Sequence, residues 1–524
     1  AGSARAATGG PKEAEPIHLG KVVTISVIAA LGGFLFGYDS SVINGANQAV
    51  YHQFDIVNPG LQGFSVAIAL LGSAVGAFVG GQLTDKLGRK KVMVLAAVLF
   101  LIAGLARRSR SPCWTSCSGA SSAVSPSASP RWSRRCTSPS WRRRICAAGC
   151  PAVPAGDRLR HLRHPAGQPG AHRHDSEGLS GGRGHRGLPG MVDPASKVPM
   201  VQANNDLWFG LQTWQWMFLC MVFPAVLYWV LALTLPESPR FLVAKGRDDE
   251  AKEVLEQVYA DDVSDKLTAI QESLAGEHKM SLRDIKGPKL GLLPLVWVGI
   301  ILAILQQFVG INAVFYYSNV IWSAIGFGAE KAFMTSTIIS AVNVIFTFLA
   351  IALVDRVGRK PLLLVGSLGM FATLGILTWV FVAAPACTQA LIDAGGTEGC
   401  TQASELNSPI LSTSGGWIAV IMLNLYVAFF ATTWGPIVWV LLGEMFPNKI
   451  RAAAMSVAVA ANWIANFVVT ESFKPLIDNF GLGVAYGLFT LGALVSFFYV
   501  SKFVKETKGV QLEDMEELEG MSTA

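Results

Sequence analysis

Charge is what this sequence lacks most. Only 15% of its 524 residues are Asp, Glu, Lys or Arg, against about 25% in a soluble globular chain. That shortage excludes a large soluble enzyme and a disordered chain alike. The phosphate-cradling pattern G-x-x-x-x-G-K-[ST] is absent, which argues against direct drive by ATP. Ala1 to Pro16 contain no apolar core, so no secretory signal is expected there. Lysine is missing altogether between Lys91 and Lys197. Lys and Arg are missing from 46–60 and from 385–415, although the latter holds Asp393, Glu398 and Glu405.

What is present is apolar. Hydrophobic residues make up 51% of the chain, in runs of about 20, the length that crosses a bilayer core. Spans are predicted at 22–45, 61–84, 92–106, 214–235, 291–327 (two spans or one broken one), 333–354, 361–384, 416–442, 453–471 and 483–504. The reading is a polytopic α-helical membrane protein. Between Lys245 and Lys289 the spacing of Ala251, Val254, Leu255 and Val258 predicts amphipathic helices on the membrane surface.

Basic residues in short loops set the orientation. Lys86, Arg89, Lys90 and Lys91, then Arg240, Lys245 and Arg247, then Arg356, Arg359 and Lys360 follow alternate spans, and Lys449, Arg451, Lys502, Lys505 and Lys508 flank the last ones. These loops are expected in the cytoplasm with both termini, and 46–60 and 385–415 outside. Cys387 and Cys400 share the second outer loop, as a disulfide or as two thiols.

The basic loops also repeat. Asp85-Lys86-Leu87-Gly88-Arg89-Lys90 returns 270 residues later as Asp355-Arg356-Val357-Gly358-Arg359-Lys360. Glu237 of Pro-Glu-Ser-Pro-Arg has its echo 269 residues on, at Glu506 of Lys-Glu-Thr-Lys-Gly. Two motifs at one offset imply a duplicated half, and parallel repeats around a shared site are a transporter architecture.

The motifs carry a resemblance. Gly33-Phe34-Leu35-Phe36-Gly37-Tyr38-Asp39, both Asp-x-x-Gly-Arg-Lys loops, Pro236-Glu237-Ser238-Pro239-Arg240 and Gln306-Gln307-Phe308-Val309-Gly310-Ile311-Asn312 resemble the sugar porter family of the major facilitator superfamily. So do Gly435-Pro436-Ile437-Val438-Trp439, Glu444-Met445-Phe446-Pro447 with Arg451, and Glu506-Thr507-Lys508-Gly509. The pattern is similar to bacterial proton–sugar symporters of the xylose–proton type. The resemblance implies an all-α membrane protein with the major facilitator fold, two six-helix halves and twelve spans. The division expected is a tail at 1–20, a first half at 21–240, a cytoplasmic helical linker at 241–289, a second half at 290–504 and a tail at 505–524.

One block resists this pattern. Residues 107–190 hold 15 of the 42 basic residues, 3 of the 36 acidic ones and five of the eight cysteines. The remainder of the chain carries more acid than base, so the net charge of +6 points to no nucleic-acid partner. The resemblance requires the fourth and fifth spans here, yet Arg, Ser, Pro and Gly cannot form lipid-facing helices. A GC-rich gene read out of frame yields this composition. Regrouping the codons of Cys136 through Cys150 by one base permits YIAELAPAHLRGRL, the family's motif at that place. The cysteines and histidines of the block are therefore not read as a zinc site.

Outside it, Asp39 is the foremost candidate. An acid within a membrane run is costly and marks function; the family's symporters carry Asp here and its facilitators Asn, so Asp39 is assigned to proton coupling. Gln306, Gln307 and Asn312 are neutral amides that both donate and accept, which suits sugar hydroxyls, and Gly310 can loosen the helix between them. Interhelical bonding among the amides is the plainer alternative. The resemblance assigns these three, with Asn343 and Asn462, to a monosaccharide. Trp439 and Trp463 are candidates to pack on the sugar's C–H face, and Phe36 and Tyr316 are weaker ones; Trp434 is read as structural. Asp85, Arg89, Glu237, Arg240, Asp355, Arg359, Glu444, Arg451 and Glu506 form the set expected to act as gating salt bridges. The expectation is thus a proton-coupled hexose or pentose symporter, monomeric, in the plasma (inner) membrane, using the proton as coupling ion and no cofactor or metal. An uncoupled facilitator or a non-transporting sensor is the alternative.

Overall fold

The computed structural model describes residues 18–106, 202–259, 262–275, 285–287, 291–324, 329–394, 407–447 and 450–508. The block 107–190 lies outside them. The helices in chain order are α1 (Leu19–Gln53), α2 (Pro59–Leu87), α3 (Arg89–Ala106), α4 (Thr213–Leu219), α5 (Val222–Thr234), α6 (Pro239–Ala244), α7 (Asp248–Glu256) and α8 (Ser264–Ala275). Then follow α9 (Pro294–Phe308), α10 (Ile311–Ala324), α11 (Ala329–Val357), α12 (Arg359–Ala383), α13 (Gln389–Asp393), α14 (Thr413–Thr432), α15 (Trp434–Met445) and α16 (Arg451–Phe503). Eight stretches among the described residues are long and apolar enough to cross a membrane.

The surface of these helices is apolar. Phe348 is 70% exposed and Phe223 74%, an arrangement suited to lipid rather than water. Inside, α1, α3 and α5 close over Leu35, Ala97, Phe100, Met221 and Tyr228. A larger core joins α9, α10, α12, α14, α15 and α16. The halves touch where α1 meets α10 and α2 meets α16.

Long spans are broken where the sequence weakens them. Gly310 adopts φ +87°, a left-handed backbone, between α9 and α10. Its missing Cβ leaves room for the Phe489 ring. The freed carbonyl of Val309 accepts from Tyr426 Oη at 2.7 Å, as a helix break within a membrane requires. The second break falls at Thr433 (φ −128°, ψ −87°), just before Gly435-Pro436. The span expected to end at 471 instead runs on past Pro475, and its turn to the next is at Gly481, φ +82°.

Candidate functional site

The amides of the second half form one network. Gln306 and Gln307 are buried on the last turn of α9, Asn312 opens α10, and Asn462 is buried on α16. Asn462 Nδ2 donates to Gln306 Oε1 at 2.8 Å and to the Ala303 carbonyl at 2.9 Å. Gln307 Nε2 donates to Asn462 Oδ1 at 3.1 Å, and Asn312 Nδ2 donates to Gln307 Oε1 at 2.6 Å. Gln306 Nε2 donates to the carbonyls of Trp434 and Gly435, at 2.8 and 3.2 Å. One amide chain therefore ties both helix breaks to α16. It is neutral and self-satisfied, so each bond can be exchanged for a hydroxyl without stripping an ion of water.

The first half approaches this chain along one face of α1. Phe36 meets Trp463 edge-on, ring centroids 5.3 Å apart. Asp39, three residues on, is 4% exposed. The buried Tyr316 hydroxyl lies beside Ser40 and Asn466 and within electrostatic reach of Asp39. Asn44 Nδ2 donates to Ser318 Oγ at 2.8 Å, and Asn47 Nδ2 donates to the Tyr316 carbonyl at 3.3 Å. Positions 36, 40, 44 and 47 follow helical spacing, so they share one face.

Two predicted contributors stand apart. Trp439 is 38% exposed, and the Asn343 side chain joins no bond of the network; its carbonyl accepts from Thr347. Trp434 is fully buried, with Nε1 donating to the Leu363 carbonyl and Ser367 Oγ. Asn44, Asn47, Ser318 and Asn466 went unread in the sequence. For Asn44 and Asn47 the signal is present, as polar residues beyond Asp39 in the same apolar run; Ser318 and Asn466 lie on α10 and α16.

At the opposite end, the repeated motifs build the same device twice. Gly88 (φ +88°) and Gly358 (φ +102°) turn the chain between two spans, and each helix that follows begins with exposed N–H donors. Glu237 Oε1 accepts from Arg89 N at 2.8 Å and Lys90 N at 3.3 Å. Glu506 accepts from Arg359 N at 3.0 Å and Lys360 N at 2.9 Å. A Cβ on either glycine would strike the carboxylate. Burial works against the charge of Glu506, but bonds from the backbone of Arg359, Lys508, Lys360 and Thr507 outweigh it and hold the carboxyl below its ordinary range.

Arg359 adds a second clamp. Its Nε and Nη2 reach Glu444 at 3.0 and 2.7 Å, and Nη2 reaches Asp355 at 3.1 Å. Thr507 Oγ1 donates to Glu444 at 2.6 Å, and Arg451 Nε donates to the Phe446 carbonyl at 3.0 Å. Each of these bonds joins groups of the same half. The side chain of Asp85 lies outside the described residues. Cys387, in the loop after α12, is disulfide-bonded.

The family described as "Sugar (and other) transporter" matches residues 25–107 and 200–518, passing over the out-of-pattern block. The chain is 41% identical over 504 residues to the glucose transport protein of Synechocystis, covering 94% of this chain and 97% of that one. It is 30% identical to the D-xylose-proton symporter of Escherichia coli K12, with 95% of each covered. Among solved structures, the proton:xylose symporter XylE bound to 6-bromo-6-deoxy-D-glucose is similar at a TM-score of 0.62, with 26% identity over 95% of this chain and 99% of that one.

Proposed function

The chain belongs to the sugar transporter family, a membrane transporter and not an enzyme, and we propose that it is a proton-coupled monosaccharide symporter working by alternating access. The observation that carries this reading is Asp39, a buried acid on the α1 face that meets the second half, beside Tyr316. A carboxyl group enclosed between two halves binds a proton; the same group wetted by an open mouth releases it.

The sugar's seat is the amide chain of Gln306, Gln307, Asn312 and Asn462, with Trp463 and Phe36 closing over the C–H face. Each amide–amide bond contributes about 1 kcal/mol net, so a hydroxyl that both donates and accepts can replace it at little cost. Asn343 and Trp439 complete the seat in a different position of the halves. The charged set Asp85, Arg89, Glu237, Arg240, Asp355, Arg359, Glu444, Arg451 and Glu506 controls the cytoplasmic mouth. A disulfide at Cys387 supports an external 385–415 loop, since such bonds persist in oxidising surroundings. Cytoplasmic termini in the plasma membrane and a monomer follow from this reading.

The test is sugar-driven proton movement. In weakly buffered vesicles without an imposed gradient, adding xylose, glucose or galactose outside is expected to alkalinise the medium transiently. Uptake of sugar with no alkalinisation would replace the symporter by a facilitator.

A further inference from the structure

Glu471 is a carboxylate that the symport reading does not use. It sits on α16 between Thr470 and Ser472, within a membrane span. Its backbone is pressed against α2: a Cβ on Gly63 would strike the Glu471 carbonyl. One turn earlier, Phe467 meets Phe64 of α2 edge-on at 6.4 Å. Glu471 therefore lies in the seam that joins the halves at the end away from the basic loops.

Among the described residues, the charged and titratable groups shown around it include Tyr51, Tyr317, Lys474 and Asp478. Tyr51 from α1 and Tyr317 from α10 lie close to each other, and both are within electrostatic reach of Glu471 and Asp478. Tyr317 Oη donates to the Thr470 carbonyl at 3.3 Å and Tyr51 Oη to the Gln62 carbonyl at 3.3 Å. The only cation among these neighbours, Lys474, is bound to both oxygens of Asp478. From α2, Ser65 reaches Tyr51. The Glu471 side chain is half-buried, and its Oε2 is enclosed with no hydrogen-bond partner among the described residues. A carboxylate oxygen enclosed without a donor destabilises the ionised form, and water or a proton relieves it.

We propose that Glu471 is a second proton-binding group, distinct from Asp39, and that a proton on it accompanies closure of the outer seam. With the α2–α16 seam shut, the carboxyl takes a proton. Opening the seam hydrates Glu471 and frees that proton to the outside. The inference rests on the alternating-access reading but not on sugar coupling through Asp39.

The test reads the seam itself. Cysteines replacing the exposed Val57 and Phe480, before α2 and at the outer turn of α16, carry spin labels whose separation is measured by pulsed electron resonance in lipid. Singly labelled proteins identify the pair signal. In a background that is wild type except for Asp39→Asn, which removes the other proton-linked acid, the long-distance population is expected to grow from pH 5 to pH 8. The open-to-closed ratio should change by up to about tenfold per pH unit, the limit for one linked proton. Adding Glu471→Gln should hold the short distance at every pH, and adding Asp478→Asn should keep the background's response. A background distance indifferent to pH would overturn the proposal, as would a response surviving in Glu471→Gln or lost only in Asp478→Asn. No sugar moves in this assay, so a failed symport reading and a failed Glu471 reading are told apart.

Discussion

The two ends of the molecule are held by opposite chemistry. At the end with the basic loops, carboxylates and arginines bind within a half: Glu237 to the start of α3, Glu506 to the start of α12, Glu444 to Arg359. At the other end, hydroxyls and amides bind between the halves: Asn44 to Ser318, Asn47 to the Tyr316 carbonyl. Charged bonds are strong and fix each half as a body. Neutral bonds near 1 kcal/mol each are weak enough to break on every cycle. A rocking mechanism needs both: stiff halves and a reversible seam.

Breaking a clamp should cost stability, and breaking the seam should change conformation. The largest effect is expected for Arg359→Leu, which leaves Glu444 without its bidentate partner. The loss should be about 2 kcal/mol, below the fully buried case because Glu444 is 35% exposed. Thermal unfolding in detergent measures it. Gly88→Ala and Gly358→Ala belong beside it, at about 1–3 kcal/mol each, for a backbone region essentially confined to glycine and a Cβ that meets the carboxylate. Their near equality, one per half, is the signature of a duplicated device; a loss confined to one would contradict it. Asn44→Ala should leave the melting temperature nearly unchanged and raise the outer-open population about fivefold, the equivalent of about 1 kcal/mol. Outer-seam distances read that change.

The smallest effect concerns pH. Glu506 has a folded pKa below its unfolded one, so its contribution is present above the unfolded value and is lost as pH falls through the folded value. Hydrogen exchange at Arg359 and Lys360 should therefore quicken only below the ordinary carboxylate range. Glu506→Gln should show fast exchange at neutral pH as well.

Much of this was legible beforehand. The repeat at Gly88 and Gly358 read as a turn with gating charge, and the structure adds why glycine is required: the seat holds a carboxylate. Gln306, Gln307 and Asn312 stood out as amides in an apolar run, and Gly310 as a weak point between them. What stayed hidden depended on tertiary partners. Asn44 and Asn47 lay beyond the acid that drew attention, and nothing local reveals that Ser318 and Tyr316 face them. Glu471 looked like the boundary of a span, because an acid ends an apolar run; the helix continues past it, carrying the acid into the seam. The span expected over 416–442 breaks at Thr433, where the Gln306 amide holds the carbonyls that follow.

The central claim is that Asp39 couples sugar to protons, and accumulation tests it most directly. Proteoliposomes made from protein of a resequenced gene are given an inward proton gradient and labelled sugar, as wild type and as Asp39→Asn. The account predicts that wild type concentrates sugar well above the outside level and that collapsing the gradient abolishes this. Asp39→Asn should only equilibrate. Wild type that equilibrates regardless of the gradient, or an Asp39→Asn variant that still accumulates, would contradict the account.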